Sequence, residues 1–270
     1  MRFGKINLHV DYSRANVEKI DDYQPHLDAY ILDDPCTGAK RKAVIICPGG
    51  GYEFTSEREG EPIAMRFLSA GIQAFVLWYS VRPAIFPMAL LELAASMKFV
   101  REHAEEWNID PDSIAVCGFS AGGHLAGSLS VMWNKGFLAD SLDTEEAMIK
   151  PNASILSYPV ITSGEMAHRG SFDALLNGLS EEYLELTSLE KQVDSGTPPT
   201  FLWHTWEDDL VPVENTLYYM EALRKNGVVC EAHIFSKGGH GLSTGDAEVG
   251  SDAPQVRPWV LLAIDWFKNL

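Results

Sequence analysis

Ser120 stands at the centre of the pentapeptide GFSAG (118–122), a spacing that suits a nucleophilic serine. An apolar, strand-like run (114–117) comes directly before the pentapeptide, and a helical pattern (121–133) begins directly after the serine. A sharp turn between a strand and a helix exposes such a serine, and small residues two places to either side let the two elements approach closely. The alternative is an ordinary glycine-rich helix start that the serine caps. The sequence predicts nucleophilic catalysis by Ser120.

A serine hydroxyl is a poor nucleophile at neutral pH, so it needs a base and a carboxylate that orients the base. Of the eight histidines, His240 alone lies in a glycine-flanked loop (KGGHGL, 237–242) that directly follows the last strand-like run. Such a loop can carry an imidazole over the carboxyl ends of parallel strands, where ligands bind. The alternative is a histidine in an ordinary surface loop. We predict that His240 is the base.

The orienting carboxylate is expected after the preceding strand-like run, where Glu207, Asp208 and Asp209 stand in a row. The residues alone leave these three acids open, and such a run is otherwise typical of a solvated loop. An order of serine, acid and then histidine differs from the orders in chymotrypsin-like and subtilisin-like proteases.

Acyl transfer places negative charge on the former carbonyl oxygen, so backbone N–H donors are needed beside the nucleophile. One donor is expected from Ala121, at the start of the helical pattern. The other is expected from PGGGY (48–52), where Gly50 and Gly51 are both candidates and we favour Gly51. A glycine run can also hold a phosphate, but no Lys-Ser/Thr pair follows these glycines.

The segments that carry these residues lie in a chain whose short apolar runs alternate with longer helical patterns. The apolar runs are nearly continuous, as central parallel strands require. The alternation predicts an α/β fold with a mainly parallel sheet of about eight strands and helices on both faces. Segments around 3–10 and 27–32 are expected to pair at one edge. The other predicted strands are 43–47, 73–78, 113–117, 153–157, 200–204 and 230–235, and the predicted helices are 61–70, 87–107, 121–133, 213–226 and 257–267.

The 270-residue chain is predicted to form a single domain, 1–270, because α/β folds commonly use about 200–250 residues for one domain. Segment 162–195 breaks the alternation, since it is longer and more polar than a crossover helix needs. We predict a small insertion that forms a cap or lid, or else decorates a crossover without touching ligand. The residues expected to contact substrate are Tyr52, Phe119, Trp206, His168, Arg169 and Phe172.

Composition narrows the expected partners. A net charge of −17 opposes binding to nucleic acid and to anionic lipid, and favours a neutral ester or acylated sugar. No apolar run is long enough for an export signal or a membrane helix, so we expect a cytoplasmic protein with reduced cysteines. Neither a metal site nor a cofactor is expected, and a homodimer stays open. His124 and His204 are interpreted as buried structural histidines.

The located segments together resemble the carbohydrate-esterase and acetylesterase-like branch of the α/β-hydrolases, the group often labelled lipase/esterase or acetyl-xylan esterase. The resemblance covers nearly the whole chain. It rests on PGGGY (48–52), REGEPIA (58–64), GFSAGGH (118–124), WHT (203–205) with VPVEN (211–215), and KGGHG (237–241).

This resemblance implies an α/β-hydrolase fold with Asp208 as the triad acid, since the acid of this fold commonly stands in Asp-x-x-Val-Pro, and leaves Asp209 as the alternative. It implies a serine carboxylic-ester hydrolase that removes acetyl or other short acyl groups from sugars or small esters through an acyl-enzyme. Pro48 replaces the histidine of the hormone-sensitive-lipase-like group, so acyl-chain preference does not carry over. The alternatives are a prolyl-oligopeptidase-like peptidase and a non-catalytic binding protein.

Overall fold

A sheet of eight strands runs through the part of the chain that the structure describes, residues 1–15, 17–19, 22–33 and 38–270 of a computed structural model. The strands are β1 (Arg2–Asn7), β2 (His26–Ile31), β3 (Arg41–Cys47), β4 (Gln73–Trp78), β5 (Ile109–Phe119), β6 (Ala153–Ser157), β7 (Thr200–Thr205) and β8 (Cys230–Phe235). Their order across the sheet is β1-β2-β4-β3-β5-β6-β7-β8.

Strands β3 to β8 are parallel to one another, whereas β1 and β2 pair antiparallel at one edge and β2 also runs antiparallel to β4. The predicted α/β-hydrolase fold, with its mainly parallel sheet and edge pair, is confirmed. Strand β5 is longer than the predicted run 113–117 and continues to Phe119, directly before Ser120.

Helices cover both faces of the sheet. They are α1 (Glu61–Ser69), α2 (Met88–Glu102), α3 (Ala121–Met132), α4 (Phe137–Ser141), α5 (Glu146–Ile149), α6 (Arg169–Leu176), α7 (Glu181–Leu186), α8 (Glu214–Lys225) and α9 (Pro258–Lys268). The predicted helix 87–107 ends at Glu102, because the chain turns back into β5 through Asn108, whose φ is 54°. Asparagine tolerates a positive φ better than most side chains.

Each face of the sheet has its own apolar core, which explains the continuous apolar strands. In β3, Ile45 packs into one core, while its neighbours Val44 and Ile46 pack into the other. Successive side chains of a strand point to opposite faces, so a strand buried on both faces must be apolar throughout. No helix in the described ranges is both long enough and apolar enough to span a bilayer.

Segment 162–195 contains α6, α7 and a short 3-10 turn (Leu189–Lys191). Asn215 at the start of α8 holds the beginning of the segment: its Oδ1 accepts the N–H of Thr162 at 3.1 Å, and its Nδ2 donates to the carbonyl of Met166 at 2.9 Å. Further along, the carbonyl of Leu175 accepts the N–H of Phe86 at 2.9 Å. The inserted segment is therefore attached to loops and helices beside the sheet.

Candidate active site

Ser120 occupies the turn between β5 and α3, with a φ of 54° and a ψ of −119°. A serine rarely adopts a positive φ, so the surrounding chain must hold it there. The N–H of Ser120 donates to the carbonyl of Ser157 at 3.0 Å, and its carbonyl accepts the N–H of Val160 at 3.1 Å. The backbone of the β6 end thus fixes the turn that presents the serine.

The two glycines around Ser120 permit close contacts between elements. A Cβ on Gly118 would lie 2.1 Å from the carbonyl oxygen of Gly122, and a Cβ on Gly122 would lie 2.1 Å from that of Cys47. Both distances are too short for any side chain, so these positions require glycine. The predicted reason for the small residues around the serine is confirmed in geometric terms.

His240 lies between Ser120 and Asp208. Its Nε2 is 2.7 Å from Oγ of Ser120, and its Nδ1 is 2.7 Å from Oδ2 of Asp208. The hydroxyl donates to Nε2 when Nδ1 carries the proton and donates to the carboxylate, which is the arrangement that activates a serine. Loops after β5, β7 and β8 supply the three residues at the carboxyl edge of the sheet.

Of the three consecutive acids, only Asp208 contacts His240. Glu207 is exposed and pairs with Lys237, and Asp209 is exposed. The buried Asp208 also accepts the N–H groups of Leu210 at 3.1 Å and Val211 at 2.9 Å through Oδ1. The loop conformation therefore turns one acid inward and leaves its neighbours in solvent.

His204 contacts the same acid from the opposite side. Its Nε2 is 3.2 Å from Oδ2 of Asp208 and 2.9 Å from the carbonyl of Val211, both of which only accept hydrogen bonds. Nε2 therefore carries the proton, and Nδ1 accepts the hydroxyl of Thr216 at 2.8 Å. His204 is buried as expected, but the sequence did not show that it donates to the triad acid.

Hydrogen bonds keep Asp208 ionised despite its burial. Burial acts to raise the pKa of Asp208, but hydrogen bonds from His204 and His240 outweigh it and hold the pKa well below its usual value. Throughout the described residues, no group of three or more His, Cys, Asp and Glu side chains is arranged to hold a metal ion. The charge at the centre of the site is therefore the Asp208 carboxylate, which is paired with His240.

The glycine loop after β3 lies against the nucleophile. A Cβ on Gly49 would come within 3.1 Å of Cβ of Ser120. Among the described residues, no hydrogen-bond partner is present for the N–H groups of Gly50, Gly51 or Ala121, whereas that of Gly49 donates to Glu59. In the described part of the chain, the N–H groups of both predicted glycine donors are thus unpaired, and the preference for Gly51 stays a prediction.

Glu59 is a buried carboxyl group behind this loop that the sequence analysis did not place in the site. Its Oε2 accepts the N–H of Gly49 at 2.8 Å, and its Oε1 accepts the hydroxyl of Tyr158 at 2.6 Å. The Tyr158 ring packs against the His240 ring, with centroids 5.0 Å apart and an edge-to-face geometry. The REGEPIA segment (58–64) was the available sequence signal, but it carried no assigned role.

Arg58, the neighbour of Glu59, holds the loop that carries His240. Its guanidinium donates to the carbonyl of Gly241 at 3.0 Å and to Oγ of Ser251 at 2.8 Å. In return, Oγ of Ser243 donates to the carbonyl of Arg58 at 2.6 Å. Residues 58 and 59 together therefore connect the glycine loop with the histidine loop.

Three of the predicted substrate contacts are buried instead. Phe119 has no exposed surface because its ring packs against Tyr158 and Trp259 below the turn, so that prediction is wrong. Tyr52 and Phe172 are each 3% exposed, and the rings of both pack against the His124 ring. Packing leaves these two rings almost no surface for a ligand, and their contact with substrate stays a prediction.

The other three predicted contacts lie at the surface. Trp206 is 63% exposed, two residues before Asp208. Half-buried His168 directly precedes α6 and caps it, because its Nδ1 accepts the N–H of Ser171. Burial lowers the pKa of His168, and the nearby positive charge that His240 can carry lowers it further. Arg169 is exposed and donates to carbonyls of its own segment, including Ser163 at 2.8 Å. Substrate contact by these residues stays a prediction.

His124 joins the active-site helix to the inserted segment. Its Nε2 lies 2.8 Å from the carbonyl of Thr187, so this nitrogen carries the proton, and its Nδ1 accepts the hydroxyl of Tyr52 at 2.8 Å. Burial lowers the pKa of His124 to about 4, so the ring is neutral at pH 7. The prediction that His124 satisfies buried hydrogen bonds is confirmed.

A strained serine between a strand and a helix, a histidine after the last strand and an acid after the strand before it define a serine hydrolase of the α/β-hydrolase fold. The BD-FAE family matches residues 27–223, and the chain belongs to this family. The predicted resemblance to esterases of the carbohydrate-esterase branch is confirmed.

Two sequence relatives and two solved structures illustrate the similarity. Endo-1,4-beta-xylanase B of Butyrivibrio fibrisolvens is 38% identical over 240 residues, 86% of this chain and 37% of that protein. The acetylxylan esterase of Xylanibacter ruminicola is 30% identical over 235 residues, 83% of this chain and 45% of that protein. The chain thus spans less than half the length of these two relatives.

Among solved structures, an acetyl ester-xyloside bifunctional hydrolase from Caldicellulosiruptor lactoaceticus has a TM-score of 0.86 at 37% identity, with 98% of this chain and 96% of that chain covered. The carboxylesterase Cest-2923 of Lactobacillus plantarum has a TM-score of 0.84 at 28% identity, covering 100% of this chain and 98% of that one. The similarity therefore extends over nearly the whole of both solved chains.

Proposed function

We propose that this protein is a carboxylic-ester hydrolase that removes acetyl or other short acyl groups from sugars or small esters. The observation that carries the proposal is the continuous Ser120–His240–Asp208 contact, with 2.7 Å at each step. One relative is an acetylxylan esterase and another is an acetyl ester-xyloside bifunctional hydrolase. This similarity supports a sugar as the alcohol part of the substrate ester.

In the proposed reaction, Oγ of Ser120 attacks the ester carbonyl while Nε2 of His240 takes the hydroxyl proton. His240 then gives this proton to the leaving alcohol oxygen, and the acyl group stays on the serine. Water attacks the acyl-enzyme in the second half, again with His240 as the base, and releases the carboxylic acid. Asp208 stays ionised and holds Nδ1 of the imidazolium that forms in both steps.

The negative oxygen of the tetrahedral intermediate needs fixed donors. The N–H of Ala121 is suited to this task, because the start of a helix presents unpaired N–H groups and positive dipole charge. The N–H of Gly51 or Gly50 supplies the second donor. Gly51 and Gly50 have φ values of 67° and 130°, which glycine adopts without the strain that a side chain would bring.

The surface around the site suits a neutral sugar ester. Trp206 is 63% exposed near the triad acid, and Phe54, whose carbonyl packs against Gly50, is 61% exposed. Exposed aromatic rings offer flat apolar faces to sugar rings, and His168 adds a polar group from the inserted segment. The net charge of −17 disfavours anionic substrates.

The direct test is hydrolysis of p-nitrophenyl acetate by the purified protein and by Ser120→Ala. We expect turnover by the wild type and a loss of about 10⁶-fold in kcat for the variant, as for serine removal in other serine hydrolases. Equal rates for both proteins would overturn the proposal. Acetylated xylo-oligosaccharides and p-nitrophenyl esters of increasing length then define the alcohol and acyl preferences, and aminoacyl-proline anilides test the peptidase alternative.

A further inference from the structure

Glu59 is 4% exposed and belongs to no triad contact, yet it lies between the two loops that the reaction needs. One carboxylate oxygen accepts the N–H of Gly49, whose Cα is so close to Ser120 that a Cβ there would lie 3.1 Å from the serine Cβ. The other oxygen accepts the hydroxyl of Tyr158, which packs on the His240 ring. One side chain therefore touches both the glycine loop and the histidine's packing partner.

The hydrogen-bond pattern fits an ionised Glu59. The N–H of Gly49 can only donate, and the Tyr158 oxygen already accepts the N–H of Ser243 at 2.9 Å, so the tyrosine proton points to Glu59. A protonated carboxyl would leave its own proton or the tyrosine proton without an acceptor. Burial raises the pKa of Glu59, while the bonds from Tyr158 and Gly49 and the charges of His240 and Arg58 oppose that rise.

Glu59 is a buried negative charge close to His240. The titratable groups around it are Arg58, Tyr158 and His240, together with the buried, neutral Tyr79 and Cys117. Arg58 directs its guanidinium away, to the carbonyls of Val249 and Gly241 and to Ser251. The imidazolium that forms on His240 during acyl transfer therefore lies near two carboxylates, Asp208 in direct contact and Glu59 behind the Tyr158 ring.

We propose that Glu59 is a positioning residue of the esterase reaction, an inference that rests on the proposed function. Its carboxylate holds the start of the oxyanion loop at Gly49 and fixes Tyr158 against His240. Its charge also stabilises the imidazolium of the transition state. The same carboxylate contacts Gly49 and Tyr158. Its removal therefore loosens both the glycine loop and the packing of Tyr158 against His240.

The test compares Glu59→Gln with Glu92→Gln in kinetics and thermal unfolding. Glu92 is a matched control: it is buried, its pKa is likewise raised by burial, and it accepts a tyrosine hydroxyl (Tyr12) and a backbone N–H (Ser80). In Glu59→Gln, the amide N–H₂ must face either the N–H of Gly49 or the hydroxyl of Tyr158. Both variants are expected to lower Tm.

Only Glu59→Gln is expected to change catalysis. We expect kcat for p-nitrophenyl acetate to fall about 10- to 100-fold with KM within about threefold, somewhat less than the loss of one oxyanion donor. The acid limb of the pH profile of kcat/KM should move to lower pH, because the imidazolium loses a neighbouring negative charge. Glu59→Asp keeps the charge but is too short for both contacts, so kcat should fall while the limb stays in place.

An active wild type together with an unchanged kcat and acid limb in Glu59→Gln would overturn the inference and leave the esterase proposal intact. Catalytic losses of equal size in Glu92→Gln would overturn it too, since they would show a general effect of lost stability. If Glu59→Gln does not fold, Tyr158→Phe keeps the ring but removes the hydroxyl that donates to Oε1 of Glu59 and accepts the N–H of Ser243. In that variant kcat should fall at least about fivefold, a smaller effect of the same kind, and wild-type kinetics would then contradict the proposal.

Discussion

The carboxyl edge of the sheet and the inserted segment 162–195 are attached to the molecule in different ways. At the edge, Ser120, Asp208 and His240 each sit in a loop whose backbone is bonded to a neighbouring strand end or to Arg58. The inserted segment is held by the side chains of Asn215 and His124, by the backbone bond between Phe86 and Leu175, and by packing of apolar residues such as Phe172 in the core. The proposed reaction thus takes place in loops that are fixed at the strand ends, whereas the inserted segment packs beside them.

His124 is where the two regions meet, since it lies on α3 one turn after Ser120 and donates to Thr187 of the segment. Loops on a rigid scaffold commonly carry specificity, because they can change without disturbing the scaffold. Changes to the triad and its hydrogen-bond partners at the edge should therefore alter kcat, whereas changes in the segment or at exposed residues beside the site, such as Trp206, should alter stability or KM. Four predictions test this division, in order of decreasing effect.

Asp208→Asn is expected to lower kcat about 10⁴-fold, because an amide no longer stabilises the imidazolium or selects the Nδ1–H tautomer. Asp209→Asn is the matched control and should stay near wild-type activity, because this side chain is exposed and not bonded to His240. Kinetics with p-nitrophenyl acetate measure both. A larger loss in Asp209→Asn would contradict the geometry.

The second prediction concerns pH and the His124 bridge. The pKa of His124 is about 4 in the folded chain against 6.5 in the unfolded chain, so the unfolded chain binds more protons between these values. The bridge's contribution is fully present above pH 6.5 and is lost as the pH falls toward 4, by about 3 kcal/mol at most.

Chemical denaturation of the wild type and of His124→Gln between pH 7 and pH 4 measures how much His124 contributes to the pH dependence of the free energy of unfolding. Glutamine can accept from Tyr52 and donate to Thr187 without titrating, so its free energy of unfolding should fall less over this range. Parallel pH curves for the two proteins would show that His124 does not carry the dependence.

His204→Phe should lower kcat about 10-fold, because Asp208 loses one of the donors that fix its carboxylate, and one such hydrogen bond is worth about 1.5 kcal/mol. His204→Gln, which keeps a donor, should recover part of the rate. His233→Phe on β8 serves as the control, since that imidazole pairs with Glu231 away from the site. A fall in Tm without any change in kcat would assign His204 to packing alone.

The smallest effects are expected from Trp206→Ala and His168→Ala. KM for an acetylated xylo-oligosaccharide should rise about 3- to 10-fold, as loss of an aromatic contact worth ~1 kcal/mol predicts, with kcat for p-nitrophenyl acetate nearly unchanged. Leu261→Ala, 68% exposed on α9, is the surface control. A fall in kcat as large as that of Asp208→Asn would contradict the distinction between residues that set kcat and residues that set KM.

Local patterns in the sequence determined the strands, the main helices, the nucleophile and the base. The apolar runs predict buried strands, because side chains alternate between two covered faces. Ser120 was found from its glycines and its flanking elements, and His240 from its loop, since both signals lie within a few residues of the functional group. These inferences depend on backbone conformation and near neighbours, which a sequence encodes directly.

Contacts between distant segments decided the rest. The residues alone left Asp208 and Asp209 open and the resemblance favoured Asp208, but it is the fold of their loop that turns this acid inward, to His240 and His204. Phe119 was expected to contact substrate, but β5 continues to that residue and directs its ring into the core. Glu59 reaches Tyr158 across 99 positions of sequence. The direction of a side chain and its distant partners are set by packing of the whole chain, and for that reason only the tertiary structure revealed them.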